Sequence, residues 1–241
     1  MGFKYVKLSK VGFEKKLNED AVEILDVNGG ILALLCDGVG GDYGGDMASK
    51  IAIKSASYFF TTSDSDNYLD RIKTSLEEAN TFVINHSVGS EMLKSMATTI
   101  EMLFIKDNIA YWGHIGDSRI YHLRSGKIKQ ITKDHSLVQK LLDEGYITHQ
   151  QAAHHPNKNV ITKALGDNPF VDPDISKIKL NEFEKNSFLL CSDGITNLLS
   201  DKELEEIMNE KNWDEKTKEV DSLIKLRGAS DDYSFIYIEK E

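Results

Sequence analysis

Two apolar runs that each end in Asp-Gly constrain this chain more than any other feature. The first is Ile31 to Cys36, followed by Asp37-Gly38 and a second glycine pair, Gly40-Gly41. The second is Phe188 to Cys191, followed by Ser192-Asp193-Gly194. A short, unbroken apolar run bounded by turn residues makes a strand buried on both faces. Each aspartate therefore sits where a buried strand surfaces, and the glycine after it leaves the backbone free to bend. One Asp-Gly alone is an ordinary turn dipeptide. Two of them, each closing a core strand, deliver two carboxylates to one edge of a sheet, which is a way to build a cation site.

The 241 residues fit one large domain or two small ones, and a single domain over 1–241 is expected. Hydrophobic content of 40% supports a packed core. A net charge of −10 argues against non-specific nucleic-acid binding and suits the concentration of cations. The N-terminus, MGFKYVKLSK, has no apolar leader, and Val6 stands where a myristoylation signal needs Ser or Thr. No run is long enough to span a membrane. Cys36 and Cys191 both lie in apolar strands, so reduced, buried thiols near each other are expected. A cytoplasmic monomer with no membrane partner is the expectation.

Strands are expected over 3–9 and 20–27, and Asn28-Gly29-Gly30 signals a hairpin into the strand that ends at Asp37. Helical periodicity covers 46–60 and about 67–86. A meander of short strands follows at 97–105, 109–115, 119–123 and 127–132. Short helices are expected over 135–144 and 149–153. The segment 154–174 holds all three prolines and reads as irregular. A strand at 187–191, helices over 201–208 and about 214–226, and a strand at 233–238 complete the chain. Helices come in pairs and strands in meanders. That favours an α+β, four-layer αββα sandwich, two packed antiparallel sheets flanked by helix pairs, over alternating βαβ units.

Five aspartates stand at strand ends or beside glycine: Asp20 in NED, Asp37 in DGVGG, Asp117 in GDSR, Asp193 in SDG and Asp231 in GASDD. Clustered, they would repel unless a cation neutralised them. Oxygen-only ligands select Mg²⁺ or Mn²⁺ over zinc. Two such ions can hold a bridging hydroxide in line with a phosphoryl group. There is no GxxxxGK[ST] loop and no GxSxG elbow. Neither cysteine has an arginine six residues on, where Asp42 and Asn197 stand, so nothing proposes a covalent thiol intermediate. His114 and His122 on strands, and Trp112 and Tyr121, read as packed residues. His135 reads as a turn or helix-cap residue.

The ordered set NED at 18–20, DGVGG at 37–41, GDSR at 116–119, TKDHS at 132–136, LLCSDG at 189–194 and GASDD near the end resembles the metal-dependent type 2C Ser/Thr protein phosphatases in their compact bacterial form. Each motif alone is weak; six in order over almost the whole chain are specific. The resemblance implies hydrolysis of phosphoserine and phosphothreonine on proteins by direct attack of a metal-bridging hydroxide. It implies two Mn²⁺ or Mg²⁺ ions and a weaker third. Asp37 resembles the bridging ligand, the Gly38 carbonyl a ligand of the second metal, Asp193 and Asp231 the ligands completing the first, and Asp117 the ligand of the third. Glu19 and Asp20 resemble groups that bind metal-coordinated waters. Residues 133–174 resemble the flap beside the site. A eukaryotic-type Ser/Thr kinase is the natural opponent, acting on the same phosphoproteins.

The pattern has departures. The family's phosphate-gripping arginine is Lys15 here, a point charge in place of a bidentate fork, with Lys16 adjacent. Val39 replaces a methionine and Asp42 a histidine, and Asp232 stands where asparagine is usual. Lys15 and Val39 keep a rival open, a non-catalytic phosphoprotein-binding module on the same fold. The intact carboxylate set argues against it, because a binding module has no use for five desolvated aspartates.

Overall fold

The computed structural model describes residues 2–39, 44–88, 93 and 95–241. The motif residues Gly40, Gly41 and Asp42 lie outside the described residues. Two five-stranded antiparallel sheets stack face to face. The first has the order β1 (Phe3–Lys10), β12 (Tyr233–Lys240), β11 (Asn186–Cys191), β8 (Arg119–Arg124), β9 (Lys127–Gln130). The second has the order β10 (Asp174–Lys179), β7 (Ile109–Ile115), β6 (Ile100–Lys106), β3 (Gly30–Cys36), β2 (Ala21–Val27). A small ribbon pairs β4 (Gly38–Val39) with β5 (Ala97–Thr98).

Alternation along the central strands explains why they read as continuously apolar. Ile31, Ala33 and Leu35 of β3 point between the sheets, where they meet Phe188 and Leu190 of β11 and Ile236 and Ile238 of β12. Leu32, Leu34 and Cys36 point the other way, under α1 (Gly44–Thr62) and α2 (Tyr68–Ser87). Leu189 and Cys191 likewise face α6 (Asp201–Met208) and α7 (Trp213–Leu226). Both sides of each central strand are thus core. The two cysteines are free and buried, as expected. They are not neighbours, however: one lies under each helix pair, on opposite outer faces of the sandwich. The alternation that buries both also separates them.

The segment 133–174 carries α3 (Leu137–Asp143), capped by Ser136, and α4 (His149–Ala153), closed by a Thr148–Gln151 capping box. Its return path pairs with its own start through the isolated bridge Ser136 to Ile161 and with the body through Thr98 to Leu165. Three elements escaped the sequence reading, the two-residue β4 being the smallest. β10 is an edge strand paired only to β7, with Lys177 and Lys179 among its outward residues; an edge needs little apolar surface, so its sequence carries little strand signal. The short helix α5 (Asp193–Thr196) starts at the aspartate that closes β11.

Candidate metal centre

Five separate chain segments bring their carboxylates to one edge of the sandwich. Asp20 precedes β2, Asp37 follows β3, Asp193 follows β11 and Asp231 precedes β12. Asp117 lies in the turn by which the chain leaves β7 in one sheet and enters β8 in the other. The expected site residues are therefore together. Close backbone approach makes this possible at two glycines. A methyl group on Gly38 would overlap the Gly45 and Glu19 carbonyls, and one on Gly194 would overlap the Asp232 carbonyl.

The electrostatics are those of crowded acids. Burial, then the charges of Asp20, Asp193, Asp117 and Asp231, holds the Asp37 carboxyl well above the usual range. Asp20 is pushed up to about 7, first by burial and then by Asp232 and Asp193, against two serine hydrogen bonds. Asp117 is also pushed up to about 7, by burial and then by Asp193. Asp193 is raised by burial and Asp231, although Asn197 donates to its Oδ2 at 2.9 Å. Asp20 Oδ2 accepts from Ser192 Oγ at 2.8 Å, while its Oδ1 is buried with no partner. The backbone beneath is fixed: Asp37 N donates to Thr99 Oγ1 at 2.9 Å, and Thr99 N donates to the Asp37 carbonyl at 2.9 Å.

Lys15 supplies a positive charge here. Its ammonium lies 2.9 Å from Asp231 Oδ1 and 3.1 Å from Glu19 Oε2. Burial would lower its pKa, but Asp231 and then Glu19 outweigh that and raise it, so the lysine stays charged. Lys16 is exposed. Arg119 is committed elsewhere: Nε lies 3.0 Å from Asp134 Oδ1 and Nη2 2.7 Å from Oδ2. Asp232, the residue in place of asparagine, does not face solvent. It is 2% exposed and accepts from Gly12 N at 2.9 Å and Glu19 N at 2.7 Å. Its carboxylate ties the Lys15 loop to β12.

A divalent cation fits this donor set. The oxygens are hard, the acids are too crowded to ionise together unaided, and a buried oxygen of Asp20 lacks a partner. Among the described residues no three acidic, histidine or cysteine side chains already converge on one point as a finished coordination sphere. Lys15 holding Asp231 is consistent with that. Beside the cluster, a polar cavity of about 480 Å³ opens between Asp117, Arg119 and Asp193 on the body and Gln139 and Lys158 on the 133–174 segment.

The sequence reading missed the supporting residues: Thr99, Ser192 and the backbone role of Asp232. Thr99 and Ser192 sit at strand ends with no local pattern to mark them. Asp232 was visible only as a departure. His114 and His122 are buried and hydrogen-bonded, and Trp112 and Tyr121 are core, as expected.

A four-layer sandwich with a carboxylate-lined edge of this kind defines a metal-dependent hydrolase. Residues 14–223 match the family described as protein phosphatase 2C. A protein phosphatase 2C-type protein of Streptococcus pyogenes is 32% identical over 96% of this chain and 95% of its own length. The serine/threonine phosphatase PstP/Ppp of Mycobacterium tuberculosis superimposes with a TM-score of 0.90 at 29% identity, covering 99% of each chain. The catalytic domain of the serine/threonine protein phosphatase PstP in complex with two manganese ions gives 0.87 at 28% identity, covering 98% of this chain and 97% of its own. The chain belongs to the protein phosphatase 2C family of metal-dependent Ser/Thr protein phosphatases, and the catalytic reading stands over the binding-module rival.

Proposed function

We propose that this chain removes phosphate from phosphoserine and phosphothreonine of proteins at the aspartate edge, through the residues assigned below. Asp37, Asp193 and Asp231, with the Gly38 carbonyl, are the groups that hold two Mn²⁺ or Mg²⁺ ions. Glu19 and Asp20 hydrogen-bond the water around them, and Asp117 at the rim holds a third, weaker ion. Bound metal supplies a water acidic enough to attack phosphorus directly at neutral pH. The residues do the rest. Asp37 and its neighbours would balance the charge of the ions, and the orphaned Asp20 oxygen is placed to accept a hydrogen bond from water. Lys15, released from Asp231, offsets the charge of the phosphate; Arg119 is tied to Asp134 and leaves that task to the lysine. The 133–174 segment is the flap that faces the substrate protein, and 1–241 acts as one catalytic domain.

The observation that carries this is the convergence of five aspartates from five segments, four of them held above their usual range by burial and mutual repulsion. Among the described residues no helix is long and apolar enough to cross a membrane. The substrates are phosphoproteins made by a Ser/Thr kinase of the same compartment, which we take to be the cytoplasm, and the enzyme works as a monomer. The test is turnover of a phosphothreonine peptide and an aryl phosphate with Mn²⁺, and its loss with chelator. Tight phosphopeptide binding with no turnover at any metal concentration would instead establish the binding module.

A further inference from the structure

Behind Asp117, two imidazole rings stack at a centroid distance of 4.5 Å and an angle of 21°. They belong to His114 of β7 and His135 of the TKDHS run. His114 Nε2 lies 2.8 Å from the Lys133 carbonyl and Nδ1 lies 2.6 Å from Glu101 Oε1. A carbonyl only accepts, so Nε2 carries the proton. Burial raises Glu101 well above its usual range and lowers His114. Both shifts favour a protonated Glu101 donating to a neutral His114 ring over an ion pair.

His135 on top of it makes four bonds to three segments. Its Nδ1 accepts from Gly116 N at 3.0 Å, and its own N–H donates to the Gly116 carbonyl at 2.7 Å. Its carbonyl accepts from Thr162 N at 2.8 Å, and Nε2 lies 3.3 Å from Asp174 Oδ1. An Nδ1 that accepts cannot carry hydrogen, so Nε2 carries it and donates to Asp174. The His135 ring therefore joins the turn of Asp117 to the first residue of β10, while its backbone ties in the return path of the 133–174 segment. Gly116 has little freedom on its other side. Its φ is +119°, and a methyl group there would strike Thr99. Thr99 Oγ1 in turn shares a hydrogen bond of 3.0 Å with Ser118 Oγ and accepts from Asp37 N.

We propose that His135 is a positioning residue: as its Nε2–H tautomer it fixes the Asp117 turn against the 133–174 segment, in the geometry that protein substrates use. This rests on the aspartate edge being the phosphatase site. His135 touches none of Asp37, Asp193 or Asp231. Its loss should spare substrates that need only the metal pair and penalise those that also span the rim.

The test uses the full chain with Mn²⁺ and two substrates, an aryl phosphate and a phosphothreonine peptide. Asn places its oxygen near the position of Nδ1, and Gln places its amide near that of Nε2. His135→Ala and His135→Gln should lose roughly 10- to 100-fold in kcat/KM on the peptide, the scale of a misplacement of about 1 Å. His135→Asn should recover most of it, and all three should stay within about 3-fold of wild type on the aryl phosphate. Equal losses in the Asn and Gln variants, or equal losses on both substrates, would overturn the proposal. ¹⁵N-histidine NMR of the unmodified chain keeps it testable if the variants fold poorly. His114 and His135, told apart by backbone-linked assignment, should each show an unprotonated Nδ1 that accepts a hydrogen bond and a protonated Nε2. An Nδ1–H ring or a tautomer average at His135 contradicts it. Failure of the wild type to hydrolyse either substrate would instead remove the phosphatase reading.

Discussion

The aspartate edge and the histidine junction lie on the two sides of one turn, Gly116-Asp117, and are built on opposite rules. On the edge, buried acids face one another with few partners, and Asp20 keeps an oxygen with none. At the junction, every ring nitrogen of the two stacked histidines is hydrogen-bonded and every donor meets an acceptor. The junction is complete as the chain folds, apart from one buried Glu101 oxygen. The edge is not, because unpaired buried charge is expensive. The difference separates a site that waits for a ligand from one that holds it in place.

The comparison breaks most severely if the edge tolerates loss of charge. Asp37→Asn and Asp193→Asn should each reduce turnover to background, because each removes an anion from the proposed metal set. In chelator the same variants should melt higher than wild type, since repulsion among the acids falls. Near-normal turnover of Asp37→Asn in saturating Mn²⁺ would end its bridging assignment. A lower melting point without metal would mean the acids are balanced in some other way.

Lys15 sits on the edge but behaves like the junction, with both its carboxylate partners in place. It should play two parts. As a phosphate partner, its loss in Lys15→Ala should raise KM by about 1–3 kcal/mol, roughly 5- to 150-fold, with a smaller effect on kcat. As the cation on Asp231, it must move before metal can use that carboxylate. Lys15→Met should therefore bind Mn²⁺ more tightly in calorimetry, by up to about 5-fold, because a partly exposed ion pair is worth only about 0–1 kcal/mol. Unchanged KM would leave Lys15 a loop residue. Unchanged Mn²⁺ affinity would mean that the Asp231 pair costs the metal nothing.

The pH dependence of stability sharpens the contrast, because the two regions titrate in opposite senses. Asp20 and Asp117, raised from 3.8 to about 7, contribute stability that is complete below their ordinary value and lost as pH rises through 7. His135, lowered from 6.5 to about 4, contributes stability that is complete above 6.5 and lost as pH falls towards 4. The histidine contribution levels off about one pH unit above 6.5, and Lys216, lowered to about 8, only adds stability as pH rises, so a downward slope above about pH 7 belongs to the acids. The metal-free chain should lose melting temperature between roughly pH 7 and 8. Saturating Mn²⁺ should remove that loss. A flat metal-free profile over this range would show that Asp20 and Asp117 ionise without penalty.

Much of this was legible in the sequence, for reasons that differ by residue. The sandwich followed from Ile31–Cys36 and Phe188–Cys191, because strands buried on both faces leave unbroken apolar runs. The aspartates were legible because each stands at a strand end or beside glycine or serine. β10 was not, since an edge strand needs only Ile175 and Ile178 to face inward. The role of His135 was not either. Its partners Gly116, Thr162 and Asp174 are 19, 27 and 39 positions away in sequence, and no local pattern reports a bond formed only by the fold. Asp232 was legible as a departure but not in its task of holding two backbone N–H groups.

The cysteines give the smallest expected effect and a control for both regions. Each thiol is buried against one helix pair, with burial foremost in pushing its pKa up, so neither is a ready nucleophile. Cys36→Ala and Cys191→Ala should each cost about 1–2 kcal/mol of stability, as small core truncations do. Turnover per folded molecule should stay nearly unchanged, even though Cys36 adjoins Asp37, because its side chain points under α1 and α2 and away from the carboxylates. The two thiols occupy separate hydrophobic clusters, so the double variant should cost the sum of the singles within about 0.5 kcal/mol. Denaturant melts of the four proteins measure this. A coupling above that size would mean that strain passes through the inter-sheet core from one helix layer to the other, and the edge that both strands feed could then not be treated as independent of the core beneath it.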